Sequence, residues 1–187
     1  ANKANFCFKL AKTEFVLLMN DDMEIISSEW LTALLEPMQD KNVGIVGAKL
    51  LYANGRTQHA GMVLHPSHHA IHLFHNSPTG EVSYAGYSHF LRNYSVITGA
   101  CLLTRKSIIE EVKGFDEFLK IDFNDTDFCL RVGQKGYRIV YTPYCELFHF
   151  EQSSLPRVSR RKNEEDYFIN RWEAILKNDP MYNKNLL

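Results

Sequence analysis

Two acidic clusters and one histidine carry the side chains most able to do chemistry. Asn20-Asp21-Asp22 ends the apolar run from Phe15 to Met19, Asn124-Asp125-Thr126-Asp127 runs into Phe128-Cys-Leu-Arg131, and His149 closes a short apolar run after Cys145. Adjacent carboxylates such as Asp21 and Asp22 repel unless a cation or hydrogen-bond donors compensate them. A hard divalent ion carrying a phosphate is one such compensation. The plainer reading is a turn and an N-cap for the helix suggested by residues 27–35, since Asn and Asp are frequent in both. Capping also accounts for Asp125, and a lone histidine such as His149 usually serves structure.

A third group, His65, His68, His69, His72 and His75, has spacings that would place His68 and His72 on one helix face. Histidines four apart can ligate zinc. No cysteine or carboxylate accompanies them, and Pro66, Pro78 and Gly80 favour a surface loop over a metal site.

The elements that must position these residues read as an alternation of strands and helices. Residues 1–12 suit a helix, with apolar Phe6, Leu10 and Ala11. Five consecutive apolar residues, 15–19, suit a strand buried on both faces of a parallel sheet. Ligands bind beyond the carboxyl ends of such strands, where Asp21 and Asp22 stand. Residues 43–52 read as extended, Asn54-Gly55 as a tight turn, and 56–64 as the returning arm of a hairpin. Residues 94–104 are β-rich around Gly99, which marks a simple bulge or a close backbone approach to a ligand. A helix over 106–112 is ended by Lys113-Gly114; Asn124 or Asp125 starts another, residues 136–143 form a strand, and a basic then amphipathic helix spans 160–177.

With 187 residues, 45% of them hydrophobic and 12% aromatic, the chain can bury one sizeable core. A formal charge of -1 gives no reason to expect a nucleic-acid surface, which leaves small molecules or proteins as partners. Cys7, Cys101, Cys129 and Cys145 lie far apart and are expected to be buried, reduced thiols. No apolar run approaches a membrane span or a signal peptide, so a cytoplasmic, soluble protein is expected, with membrane association left to further segments.

Asn20-Asp-Asp22, Gln58-His-Ala-Gly61, Thr98-Gly-Ala-Cys101, Gly114-Phe-Asp-Glu117, Asn124-Asp-Thr-Asp-Phe-Cys-Leu-Arg131, Gly136-Tyr-Arg138 and His149 occur in one order and spacing. That ordered set resembles the family 2 glycosyltransferases with the GT-A fold, across nearly the whole chain. The resemblance implies an α/β domain with a mixed, mostly parallel sheet flanked by helices, and inverting transfer of a sugar from a nucleotide-sugar donor to a saccharide or lipid-linked acceptor, as in polysaccharide biosynthesis. It also implies a divalent metal, Mn²⁺ or Mg²⁺, held by Asp22 and His149. Asp125 matches the general base, while Asn20, Asp21, Thr98, Gly99, Ala100 and Asp127 match positions lining donor and acceptor. Asn20 replaces the first acid of the family's Asp-any-Asp motif.

The chemistry asks for the same residue types. An acceptor hydroxyl that attacks must lose its proton to a positioned carboxylate. The departing diphosphate gathers negative charge that a divalent ion stabilises, and an imidazole among oxygen ligands tilts the choice toward Mn²⁺. The competing classes are a carboxylate-rich phosphohydrolase, for which no covalent nucleophile or second metal cluster is evident, and a degenerate, non-catalytic nucleotide-sugar-binding module, which Asn20 keeps open. By resemblance residues 1–187 form a single partial GT-A domain, holding the metal motif, the base half and the C-terminal helix but lacking the N-terminal nucleotide-binding strands. The strand at 15–19 is then expected to present an open edge, covered by self-association or local disorder.

Overall fold

The computed structural model describes residues 1–79, 84–150 and 161–183, so Gly80 of the expected loop and Arg160 of the expected helix lie outside the described residues. In chain order the elements are α1 (Asn2–Leu10), β1 (Phe15–Met19), β2 (Met23–Ile25), α2 (Trp30–Leu35), β3 (Val43–Leu51), β4 (Thr57–His59), β5 (Met62–His65), β6 (His69–His72), β7 (Arg92–Tyr94), β8 (Cys101–Arg105), α3 (Lys106–Glu111), α4 (Asn124–Gln134), β9 (Arg138–His149) and α5 (Lys162–Lys177).

β3 and β9 form the spine of the main sheet, whose path runs β1-β8-β3-β9-β2, with β4 beside β3 and β7 beside β9. Every residue of β3 is buried, as its glycine-interrupted apolar run requires of a strand covered on both faces. On one face α2 packs Ala33 and Leu34 against Val46, Val140 and Leu147. On the other, α3, α4 and α5 bury Ile108, Phe128, Val132, Phe168 and Trp172 around Ile45 and Ile139. The result is a three-layer α/β arrangement.

The expected mixed α/β architecture is present, but its parallel character is confined to one pair among the described strands. Only β3 and β9 run parallel, whereas β1 with β8, β3 with β8, β2 with β9 and β7 with β9 are antiparallel. Parallel pairing needs a long crossover connection, which the helix-bearing segment between β3 and β9 provides. β1 is correspondingly half-buried rather than buried on both faces, pairing with β8 alone among the described strands.

Local differences from the sequence expectations have similar causes. Phe8 is the buried residue of α1, while Phe6 and Leu10 are 64% and 62% exposed. The returning hairpin arm stops at His59, because Gly61 takes φ 97° and a Cβ there would lie 2.1 Å from the Tyr94 ring. β5 then pairs with β6, so the histidine-rich segment is largely a hairpin in place of the expected loop. Gly136 falls before β9, and residues 138–149 form one strand that passes through Pro143 with a register shift against β3. Residues 94–104 are not one extended stretch: Tyr94 ends β7, β8 begins at Cys101, and residues 95–100 connect the two. Cys7 is exposed, contrary to expectation, while Cys101, Cys129 and Cys145 are buried, and all are free. No helix among the described residues is long and apolar enough to cross a membrane.

Candidate functional site

The ends of β1, β2 and β9 bring the first acidic cluster and the terminal histidine together. β2 pairs antiparallel with β9 so that Met23 faces His149, and the Phe150 amide donates to the Asp22 carbonyl at 3.0 Å. This register sets Asp22 Oδ1 3.2 Å from His149 Nε2. Asn20 Nδ2 is also 3.2 Å from that ring nitrogen. Asp21, by contrast, is exposed.

The opposite ring nitrogen fixes the chemistry of this cluster. His149 Nδ1 lies 2.6 Å from Gln58 Oε1, and an amide oxygen only accepts. Nδ1 therefore carries the proton, and in the neutral ring Nε2 turns a lone pair toward Asn20 and Asp22. Asp22 Oδ1 is buried with no hydrogen-bond partner. The Asn20 amide donates to the Nε2 lone pair, but the Asp22 oxygen that faces the same nitrogen has no donor, and a positive charge beside it would compensate the carboxylate. The donor set suits a divalent ion: one carboxylate oxygen, one imidazole nitrogen and, after a half-turn of the amide, Asn20 Oδ1. No group of three or more His, Cys, Asp or Glu side chains able to hold a metal occurs among the described residues. Further ligands would then come from a substrate's phosphates and water, as is usual for Mg²⁺-type sites.

The turn between β7 and β8 links this cluster to the second acidic group. Asn20 N donates to Ala100 O at 2.9 Å, and Thr98 Oγ1 accepts from the Ala100 amide at 3.3 Å. Gly99 N donates to Asp125 Oδ2 at 2.7 Å. A Cβ at Gly99 would sit 3.0 Å from the Asp125 Cβ, so the absent side chain is what lets the two backbones approach. Asp125 Oδ1 accepts from the Thr126 amide at 2.7 Å. Oδ1 also accepts from the Thr126 hydroxyl at 3.3 Å, so the carboxylate is oriented from both oxygens at the start of α4, remains partly exposed, and keeps a lone pair on Oδ2. Ahead of it Phe123 holds a left-handed φ of 60° and stacks on Phe168 at 4.5 Å, a contact that supports this strained residue at the helix entrance.

Asp127 does not join the cleft, which corrects its expected role in binding donor or acceptor. It is 0% exposed. Its Oδ2 accepts from Arg131 Nε at 2.6 Å and its Oδ1 from Trp172 Nε1 at 3.0 Å, with Arg171 Nη1 3.3 Å from Oδ1. This carboxylate ties α4 to α5. The histidine-rich segment stays apart as well: His59 and His72 meet at 3.1 Å through their Nδ1 atoms, and His69 pairs with Glu165 at 3.0 Å. Burial, and then the neighbouring His72, hold His59 well below its ordinary value. Burial pushes the Cys129 thiol up, and hydrogen bonding to Cys101 does the same for Cys145, so neither offers a thiolate nucleophile. Sequence reasoning gave no role to Gln58, although its motif was legible; the signal lay in its spatial partner.

A family described as "Glycosyltransferase like family 2" matches residues 2–167. Protein y4gI of Sinorhizobium fredii is 38% identical over 183 residues, 94% of this chain and 20% of that protein. The O-antigen biosynthesis protein RfbC of Myxococcus xanthus is 35% identical over 188 residues, 97% of this chain and 14% of the relative. The chain therefore spans a fifth or less of the length of these curated relatives. Among solved structures, GalNAc-T7 with UDP, GalNAc and Mn²⁺ superposes with a TM-score of 0.68 at 12% identity, covering 94% of this chain and 35% of that one. The mannosyltransferase PcManGT of Pyrobaculum calidifontis, in complex with GDP-Man and Mn²⁺, gives 0.54 at 16% identity, covering 82% and 37%. Both show the shared GT-A fold.

Proposed function

The chain belongs to the family-2-like glycosyltransferases, and from that premise we propose that it moves a sugar from a nucleotide-sugar donor to an acceptor hydroxyl with inversion at the anomeric carbon. The observation that carries this reading is the convergence of an orphaned Asp22 oxygen and the His149 lone pair beside a turn that also holds Asp125. A bound Mn²⁺ or Mg²⁺ would stabilise the charge that gathers on the departing diphosphate. Asp22 and His149 would hold it, and the imidazole favours Mn²⁺.

Asp125 takes the proton of the attacking hydroxyl. Its two backbone donors fix its direction, so it is positioned before the acceptor arrives and loses little freedom in the reaction. Thr98, Gly99 and Ala100 line the approach between the two groups. The structural neighbours, solved with UDP and with GDP-Man, support a nucleoside-diphosphate donor. An N-acetylglucosaminyl-diphospho-decaprenol L-rhamnosyltransferase of Mycobacterium tuberculosis, 38% identical over 61 residues (33% of this chain, 20% of that protein), supports a saccharide or lipid-linked acceptor. A non-catalytic sugar-nucleotide-binding module is the second reading, favoured by Asn20 in place of the first acid.

Incubating the full-length protein with a panel of nucleotide sugars and acceptors, with and without chelator, separates these readings. Mn²⁺-dependent transfer is expected. Binding without turnover would establish the module, and hydrolysis without transfer would establish a phosphohydrolase.

A further inference from the structure

We infer that Gln58 is a positioning residue: it fixes the tautomer and direction of His149 so that Nε2 is presented to the cation. The inference rests on the proposed metal role of His149 and deepens it. Gln58 is 4% exposed and lies 91 positions from the histidine it touches.

The backbone aims it there. Leu50 pairs with His59 and Leu51 with Thr57, so two residues of β3 oppose three of β4, and Gln58 is the extra one. A bulge of this kind redirects one side chain. Leu50 and Leu51 are also paired with Leu147 and Phe148 of β9, which places the bulged residue at the strand end that carries His149.

The amide then reads His149 twice. Oε1 accepts from Nδ1 at 2.6 Å, while Nε2 points to the backbone carbonyl of the same residue at 3.5 Å. Turning the amide over would set its oxygen against that carbonyl and its NH₂ against the ring. The flipped state thus opposes acceptor to acceptor, and the observed one satisfies both contacts. With Nδ1–H held, the acceptor lone pair is on Nε2, the nitrogen that lies 3.2 Å from both the Asn20 amide and Asp22 Oδ1. Outer partners of this kind govern how well an imidazole binds its metal.

The test combines a tautomer measurement with a metal titration. Long-range ¹H–¹⁵N spectra of the histidine-labelled protein should show His149 protonated at Nδ1, and protonation at Nε2 in the neutral ring would overturn the inference without any substitution. Mn²⁺ alone is then titrated by the loss of its free electron-spin-resonance signal. Gln58→Leu should weaken Mn²⁺ binding roughly 10- to 100-fold and release the tautomer, whereas Gln58→Glu, which keeps the acceptor for Nδ1 but loses the donor to the His149 carbonyl, should lose less. A folded Gln58→Leu protein with parental Mn²⁺ affinity would overturn the positioning role, as would Gln58→Glu weakened as much as Gln58→Leu. His149→Ala separates the two levels. If it lowers Mn²⁺ affinity while Gln58→Leu does not, only the positioning role fails; if it leaves Mn²⁺ affinity unchanged, the metal role of His149 fails and the inference with it.

Discussion

Asp22 and Asp127 begin alike in sequence, each in an acidic run that adjoins an apolar one, yet their oxygens end in opposite states. Asp22 Oδ1 is buried without a hydrogen-bond partner and faces a histidine nitrogen. Asp127 is wholly buried and accepts from Arg131 and Trp172, with Arg171 beside it. Burying a carboxylate is costly unless it is paired. Asp127 is compensated by the protein itself, whereas the Asp22 environment calls for a charge from outside. Asp125 stands between the two, oriented by backbone amides but still partly open.

Substitution at each position should expose that difference. The largest expected effect is on catalysis: Asp125→Asn should keep the fold and donor binding while transfer falls by ~10² to 10⁴, the usual contribution of a positioned base. Single-turnover assays of the full-length protein check it, and near-normal transfer would remove Asp125 from the base role. Asp127→Ala should act on stability instead. Breaking a buried ion pair costs about 3–5 kcal/mol, so urea unfolding should shift to much lower denaturant because Arg131 and Trp172 lose their acceptor. An unchanged midpoint would mean that α4 and α5 are held by packing alone.

The sequence showed where carboxylates stand, but not what compensates them. Asn20-Asp-Asp22 and Asp125 were legible because each adjoins a local apolar pattern that ends in a strand or begins a helix. For Asp127 half the answer was local, since Arg131 is four positions on along α4. The other half, Trp172, is 45 positions away on α5. Gln58 could not be assigned, because its role depends on a bulge and on a partner in another strand. The parallel pairing was overestimated for a similar reason: a run of five apolar residues reports burial, and β1 has apolar neighbours while pairing antiparallel with β8.

A smaller effect concerns His59, which is buried beside His72 and whose pKa is depressed. The unfolded chain takes up a proton near pH 6.5 that the folded chain resists. The neutral ring therefore contributes full stability above that pH, and this contribution is lost as pH falls below it, by at most about 1.4 kcal/mol per pH unit. Thermal unfolding from pH 7.5 to 5 should show this loss, and His59→Leu should flatten the profile. An equally steep profile in the variant would assign the acid sensitivity to other groups.

The most direct measurement of the contrast between Asp22 and Asp127 is thermal unfolding with and without Mn²⁺. Near ten times the dissociation constant, a ligand that binds only the folded state adds about 1.4 kcal/mol, or roughly 3–6 °C for a domain of this size. The parent protein should show that rise and Asp22→Asn should lose it, whereas Asp127→Asn should melt lower from the outset yet keep the full rise. An Asp22→Asn protein that still gains stability from Mn²⁺ as the parent does would contradict the assignment of Asp22 as a metal ligand.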